Sequence, residues 1–270
     1  MTFSLISITI PVQSGRHLRN VIERIRQNDF SDYEIIVNIS EGTSSATDIA
    51  NEFGCRIVFG KFGLLSSRYR MHEASRGDHE LLLDETRLVS KNLLRLLDIE
   101  KTDMIVIPET EIGSSILAKV ATIDKNIDYL RPEFVNPFEL SYVIPRYFRK
   151  KVLGDSFTAI RRKLSSEVFE QVIYLDHLLI YIEAYAISGN LAILKGASIE
   201  HLGDSNIHQM WEKYKRYGNS ARVLQSTFYE NLTSFKPHIR RRNPNIKDAI
   251  AKQIMLIAHS IPYFIGYWLE

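Results

Sequence analysis

The chain has 270 residues, of which 45% are hydrophobic and 24% are charged, and its formal net charge is +2. These values are typical of a globular protein with a large core, and so small a net charge gives no general electrostatic reason to expect nucleic-acid binding. The single cysteine, Cys55, excludes an internal disulfide framework and favours a reducing compartment. We therefore expect a cytoplasmic protein.

Short apolar runs alternate with helical patterns through the first half of the chain. The predicted strands span residues 5–10, 34–37, 56–59, 80–83 and 104–107. The predicted helices span residues 18–27, 65–75 and 90–97, and a further helix is capped by Ser45 and ends at Gly54. This alternation predicts an α/β fold with a mostly parallel, Rossmann-like sheet flanked by helices.

The pattern changes after about Gly113. Helical periodicity marks residues 116–125, 165–173, 178–186 and 207–229, and extended patterns mark residues 159–162, 191–194 and 198–200. The last segment, 246–269, is apolar, is interrupted by a few basic residues and a proline, and ends in aromatic residues. That composition suits a helix lying in a lipid headgroup region, and it equally suits a helix packed on the rest of the protein or in a homodimer.

Residues 63–87 carry the most information about a ligand site. A helix that contains Arg68 leads into the buried strand 80–83, which ends in Asp84, Glu85 and Thr86. Acidic residues at the carboxyl end of a parallel strand stand where open α/β sheets bind their ligands. The glycine and basic residues just upstream favour an anionic ligand.

Three later segments add candidate site residues. Asp176 precedes a helical run, His201 follows the extended residues 198–200, and an aromatic and basic stretch, 211–218, contains Lys213 and Arg216. Two short segments also combine apolar or aromatic residues with charged ones: 107–109 contains a glutamate, and 145–149 contains two arginines.

Together these segments resemble the family-2 glycosyltransferases, which are inverting enzymes of the GT-A fold, and in particular a divergent archaeal or bacterial type. The resemblance spans roughly residues 4–224. Residues 67–69 match the family's A-R-N, 75–78 its A-x-G-E, and 84–86 its D-x-D. The most specific match is 211–218, which resembles the W-x-K-Y-x-x-Y-G stretch that follows the catalytic domain.

The resemblance implies a role for each candidate. Asp176 would be the general base that takes the proton from an acceptor hydroxyl, although a plain helix N-cap is the rival interpretation. Glu109 would face the acceptor. The residues expected to bind the nucleotide sugar are Pro11, Glu41, Arg68, Asp84, Glu85, Lys213 and Arg216. A divalent cation, Mg²⁺ or Mn²⁺, would be held by Asp84, Thr86 and His201.

Several positions depart from the family pattern. The aspartates that usually end the second strand are absent, and Glu41 would substitute for them after a one-residue slip. Thr86 replaces the second aspartate of D-x-D, which should weaken the metal site because a hydroxyl brings no charge. Leu175 replaces the glutamate that usually precedes the base. These losses keep open a catalytically degenerate GT-A protein that binds a nucleotide, a glycan or a protein partner.

The resemblance also implies the domain organisation and the partners. Residues 1–202 would form the GT-A-like catalytic domain and 203–270 a helical C-terminal extension. The donor would be a UDP- or GDP-sugar, and the acceptor a glycan or a lipid-linked glycan in polysaccharide or glycolipid biosynthesis. We expect no nucleic-acid partner, and we leave open a homodimer and contact of 246–269 with the inner face of the cell membrane.

Overall fold

The computed structural model describes residues 4–40, 44–61, 63–113, 137, 144–203, 206–233 and 246–269. The strands within these ranges are β1 (Ile6–Val12), β2 (Tyr33–Ile39), β3 (Arg56–Phe59), β4 (His79–Leu82), β5 (Arg87–Val89), β6 (Met104–Val106), β7 (Glu109–Ile112), β8 (Tyr147–Arg149), β9 (Leu191–Ile193) and β10 (Ile199–Leu202). The helices are α1 (Leu18–Arg26), α2 (Ser44–Glu52), α3 (Leu64–Ala74), α4 (Leu93–Ile99), α5 (Lys150–Lys163), α6 (Ser166–Gln171), α7 (Asp176–Ile187), α8 (Ile207–Val223), α9 (Glu230–Thr233) and α10 (Ile246–Trp268).

The main sheet confirms the predicted α/β architecture. Its strand order is β3-β2-β1-β4-β8-β6-β9. Strands β3, β2, β1 and β4 are parallel neighbours, β9 is parallel to β6, and only β8 runs antiparallel to both of its neighbours. The carboxyl ends of β1, β2, β3 and β4 therefore meet at one edge of the sheet, where a ligand site is expected.

Strand β1 lies between β2 and β4 in the parallel half of the sheet and is fully buried. All seven of its residues are buried, as expected for a strand that is covered on both faces. Helix α1 covers one face with Leu18, Val21, Ile22 and Ile25, which recur at helical spacing. Helix α3 packs against β1 and β2.

A second, smaller sheet has the order β5-β10-β7. Strand β10 is antiparallel to β5 and parallel to β7, which places His201 between Arg87 and Glu111. Since β5 begins three residues after Asp84, this sheet brings its side chains beside the end of β4.

Two predicted elements differ from the structure. The strand predicted at 159–162 is wrong, because these residues continue α5, whose buried Leu153, Phe157 and Ile160 follow a helical period. The helix predicted to reach residue 229 ends at Val223, and Ser226 then has a left-handed backbone with φ of 62°. The helix predicted at 116–125 lies outside the described residues.

Helix α10 packs on α8 through two glycines. A Cβ atom added at Gly218 would lie 1.9 Å from the carbonyl oxygen of Tyr263, and one added at Gly266 would lie 1.9 Å from that of Lys215. The opposite face of α10 exposes an apolar stripe: Ile250, Ile254, Ile257, Ile261, Phe264 and Trp268. No helix among the described residues is long and apolar enough to cross a membrane. Membrane contact and dimerisation through this segment stay predictions.

Candidate active site

Arg68 is at the centre of the candidate site. Helix α3 places it behind the carboxyl end of β4, where its side chain is fully buried. Its Nε donates to Asp176 Oδ2 at 2.7 Å and its Nη2 to Asp84 Oδ1 at 2.5 Å. Its Nη1 donates to the carbonyl oxygen of Leu83 at 3.1 Å. One guanidinium thus joins the carboxylate that follows β4 to the carboxylate that opens α7.

Asp84 is surrounded by arginines. Arg87 donates through Nη1 to its Oδ2, and Arg146 Nη1 lies 3.7 Å from the same oxygen. Burial alone would raise the pKa of Asp84, but Arg87, Arg68 and Arg146 together hold that pKa well below its usual range. Asp84 is therefore ionised and fixed by charge on both of its oxygens.

Glu109 ties two of these arginines together. It opens β7, is 4% exposed, and accepts from the Nε of Arg146 and, at 3.2 Å, from the Nε of Arg87. We call the resulting network the arginine–carboxylate cluster; its members are Arg68, Arg87, Arg146, Asp84, Glu109 and Asp176. Three positive and three negative side chains balance in it.

His177 fills the space between two of the guanidinium groups. Its Nε2 lies 2.6 Å from Arg68 Nη2 and 2.8 Å from Arg146 Nη1. A guanidinium can only donate, so Nε2 must be the acceptor and the ring proton must be on Nδ1. Burial, followed by the charges of Arg68 and Arg146, lowers the pKa of His177 well below its ordinary value. The imidazole is therefore neutral near pH 7.

The backbone before Asp176 is strained and externally supported. Leu175 has φ of 66° and ψ of 3°, a left-handed conformation that costs a residue with a side chain roughly 1–3 kcal/mol. The hydroxyl of Ser220, on α8, accepts from the backbone N–H groups of Ile173 at 2.9 Å and Tyr174 at 3.1 Å. Tyr174 also stacks on Tyr217 with ring centroids 4.7 Å apart. Helix α8 thus fixes the loop that aims Asp176.

Glu85 is bonded to a neighbouring loop, and the backbone of Thr86 is bonded to the small sheet. Glu85 accepts from the N–H groups of Ser14 at 3.1 Å and Gly15 at 2.8 Å, so it anchors the loop between β1 and α1. The carbonyl oxygen of Thr86 accepts from Leu202 N–H at 2.8 Å. Pro11 is buried in β1, at the same sheet edge, in register with Asn38.

His201 lies beside the cluster. It is in register with Arg87 on β5, and its Nδ1 is 3.6 Å from Glu111 Oε2. Because directly paired residues of neighbouring strands project to the same face, His201 and Arg87 share one side of the small sheet. Within the described ranges, no three His, Cys, Asp or Glu side chains are grouped so as to hold a metal ion.

The basic residues of α8 lie apart from these contacts. Arg216 lines a cleft of about 690 Å³ together with Lys61 and Arg70. The ammonium group of Lys213 lies 5.4 Å from the ring centroid of Tyr214. Contact of Lys213 and Arg216 with a diphosphate stays a prediction, and Glu41 lies outside the described residues.

Sequence reasoning missed three members of the site: Arg87, Arg146 and His177. Arg87 directly follows the D-x-D position, so its short distance from Asp84 in the sequence could have indicated a contact between the two side chains. His177 follows the candidate base in the same way. Arg146 stands in the noted 145–149 segment, but its partners are 31 and 37 residues away, and no local pattern points to them.

Comparison with solved structures identifies the architecture. The mannosyltransferase PcManGT from Pyrobaculum calidifontis has a TM-score of 0.57 and 9% identity, and the match covers 98% of this chain and 73% of that one. S. aureus TarS 1–349 has a TM-score of 0.54 and 13% identity, and the match covers 96% of this chain and 72% of that one. Glucosyl-3-phosphoglycerate synthase from Mycobacterium tuberculosis has a TM-score of 0.55 and 14% identity, and the match covers 83% of this chain and 79% of that one.

The chain has the GT-A fold. No family model and no curated protein matches it, and in a longer TarS structure the matched part is 42% of that chain. Within the GT-A fold, the arginine–carboxylate cluster lies where the end of β4 meets the start of α7 and the small sheet.

Proposed function

We propose that the protein is a glycosyltransferase of the hexosyltransferase type. It would move a sugar from a nucleoside-diphosphate sugar to an acceptor hydroxyl, with inversion at the anomeric carbon. One observation carries this proposal: Arg68 holds Asp84 at 2.5 Å and Asp176 at 2.7 Å, so the candidate donor-side and acceptor-side carboxylates share one site. The two carboxylates are 92 residues apart in sequence, so the packing of separate elements brings them to the same guanidinium.

The structural neighbours support the substrate class. The Pyrobaculum calidifontis mannosyltransferase was solved with GDP-Man and Mn²⁺, TarS 1–349 with UDP-GlcNAc, and the Mycobacterium tuberculosis synthase with UDP and Mn²⁺. We propose by analogy a UDP- or GDP-sugar donor for this chain, lying across the carboxyl ends of β1 to β4. The acceptor would be a glycan or a lipid-linked glycan.

The residues suggest a direct displacement. Asp176 would accept the proton of the acceptor hydroxyl through Oδ1, because Arg68 holds Oδ2. The hydroxyl oxygen would attack the anomeric carbon from the face opposite the diphosphate. The bond between that carbon and the diphosphate oxygen would break, and its electron pair would leave with the nucleoside diphosphate. Arg68 acts here as a positioning residue, because its N–H groups are directed at protein acceptors.

Glu109, which we expect on the acceptor side, contacts two arginines of the cluster. Its carboxylate is buried against Arg87 and Arg146, so we propose that it orients these two arginines. Any effect of Glu109 on the acceptor would pass through them.

The experiment compares Asp176→Asn with the wild type. UDP-glucose, UDP-GlcNAc and GDP-mannose serve as donors, and donor hydrolysis is the readout, because water can replace an acceptor. A positioned general base contributes roughly 10²- to 10⁴-fold, so hydrolysis should fall by that factor while calorimetric donor affinity changes less than about threefold. Asp155→Asn, at an exposed pair with Lys151, is the control. Unchanged turnover in Asp176→Asn would remove Asp176 from the mechanism.

The arginine contacts of Asp84 favour one alternative. A GT-A protein whose donor-side aspartate is fully engaged within the protein could bind a nucleotide or glycan without transferring a sugar. Donor binding with no hydrolysis of any of the three sugars would favour this alternative.

A further inference from the structure

The residues at the end of β4 do not fit a divalent cation. Mg²⁺ and Mn²⁺ require carboxylate oxygens that can turn toward the ion. Here Asp84 Oδ1 accepts from Arg68 and Oδ2 accepts from Arg87. Thr86 brings no charge, and the carboxylate of Glu85 is committed to the N–H groups of Ser14 and Gly15.

Electrostatics oppose a cation at this place even if one oxygen became available. Three guanidinium groups, those of Arg68, Arg87 and Arg146, lie within 3.7 Å of the carboxylate of Asp84. A doubly charged cation on Asp84 would have to displace one guanidinium group and would then lie beside the two that remain, while the other carboxylates of the cluster stay paired with arginines. Partial burial of the site increases the repulsion between the cation and these groups, because solvent screens it less.

The same groups suit a phosphate anion. A guanidinium N–H group donates a charge-assisted hydrogen bond to a phosphate oxygen. Among the described residues, Arg146 bonds through Nε to Glu109 and through Nη1 to His177, and Nη2 is the nitrogen that we assign to a ligand. Arg87 stands on the small sheet next to His201 and between Asp84 and Glu109. Both arginines are oriented by carboxylates before any ligand arrives, so little side-chain entropy would be lost on binding.

We infer that Arg87 and Arg146 bind the diphosphate of the donor in place of a divalent cation, so that nucleotide binding needs no metal. This inference rests on the proposed function. When the bond between sugar and diphosphate breaks, the electron pair stays on the diphosphate oxygen, and the two guanidinium groups neutralise the charge that develops there.

The first test needs no substitution. Calorimetric titration of the wild type with UDP and with GDP is carried out once in excess EDTA and once in excess Mn²⁺. The expected result is the same Kd, within about threefold, under both conditions. Binding seen only with Mn²⁺ would overturn the inference and leave the proposed function standing. No binding of either nucleotide under either condition would overturn both.

The second test assigns the arginines. Arg87→Met should weaken metal-free nucleotide binding by at least about tenfold, since a hydrogen bond to a charged group is lost, and Arg87→Lys should lose less because the charge remains. Arg146→Lys should also weaken binding, because one ammonium group cannot keep the contacts with Glu109 and His177 and also donate to the ligand. The control is Arg95→Met, at an exposed pair with Asp29. Wild-type affinity in the folded Arg87 and Arg146 variants would refute the assignment.

Discussion

Replacing Arg68 with methionine removes the guanidinium that joins Asp84 to Asp176. Methionine keeps an unbranched apolar stem in the buried space but provides no donor. Asp84 would still have Arg87 and Arg146 as partners. Asp176 would be left with the neutral His177, whose Nε2 is 4.0 Å away, and the carbonyl oxygen of Leu83 would lose a donor.

The expected cost follows from this difference. Breaking a buried ion pair by removing one partner costs about 3–5 kcal/mol, because the remaining charge stays buried without compensation. A typical domain is stable by roughly 5–15 kcal/mol, so Arg68→Met should bring the protein close to unfolding. The control Arg95→Met breaks a pair whose side chains are 48% and 38% exposed, and it should cost no more than about 1 kcal/mol.

Urea denaturation followed by circular dichroism gives the free energy of unfolding for both variants. The double variant Arg68→Met with Asp176→Asn should be more stable than the sum of the two single effects predicts, because it removes both charges. An Arg68→Met variant that loses no more stability than Arg95→Met would show that the cluster is not a buried ion-pair network, and the reasoning would fail.

Two further predictions concern acid stability and helix packing. Because the pKa of His177 is lowered from 6.5 by burial and by the charges of Arg68 and Arg146, the unfolded state takes up a proton below about pH 6.5 that the folded state refuses. As the pH is lowered below about 6.5, the free energy of unfolding should therefore fall by up to about 1.4 kcal/mol per pH unit. In urea titrations, His177→Asn should make this dependence on pH less steep. An unchanged slope in the variant would contradict the prediction. Gly218→Ala should cost roughly 1–3 kcal/mol in thermal melts, because the new Cβ would lie 1.9 Å from Tyr263 O, whereas the exposed Glu212→Ala on the same helix should have little effect. Equal melting temperatures for Gly218→Ala and the wild type would mean that α8 and α10 are not tightly packed.

The parallel half of the sheet could be predicted because its strands carry their signal locally. Residues 56–59 form the predicted third strand with the predicted bounds, and β1 extends the predicted 5–10 through Pro11 to Val12. Proline is tolerated there because the pairing of β1 with β4 ends at Thr9, so no hydrogen bond to β4 requires an amide at residue 11. The small sheet was missed because β5 has three residues and β7 four, too few to show a period.

The site could be predicted only in part for the same reason. Arg68 and Asp84 lie 16 residues apart on consecutive elements, so the helix–strand pattern placed them together. Asp176 was reached through the resemblance to the family-2 glycosyltransferases, which have an acidic pair at the start of this helix. The contacts of Arg146 with His177 and Glu109 depend on how separate elements pack, which the local sequence does not encode.

Ser220 and Tyr217 lie well beyond residue 202, yet they hold the turn that carries Leu175. A left-handed conformation is unfavourable for leucine. A chain that ends after β10 lacks Ser220 and Tyr217, so we expect this turn to relax and Asp176 to move away from Arg68. Helix α8 thus stabilises the turn that positions Asp176. Substitutions on α8 should therefore change the position of the Asp176 carboxylate indirectly, through the turn that precedes it.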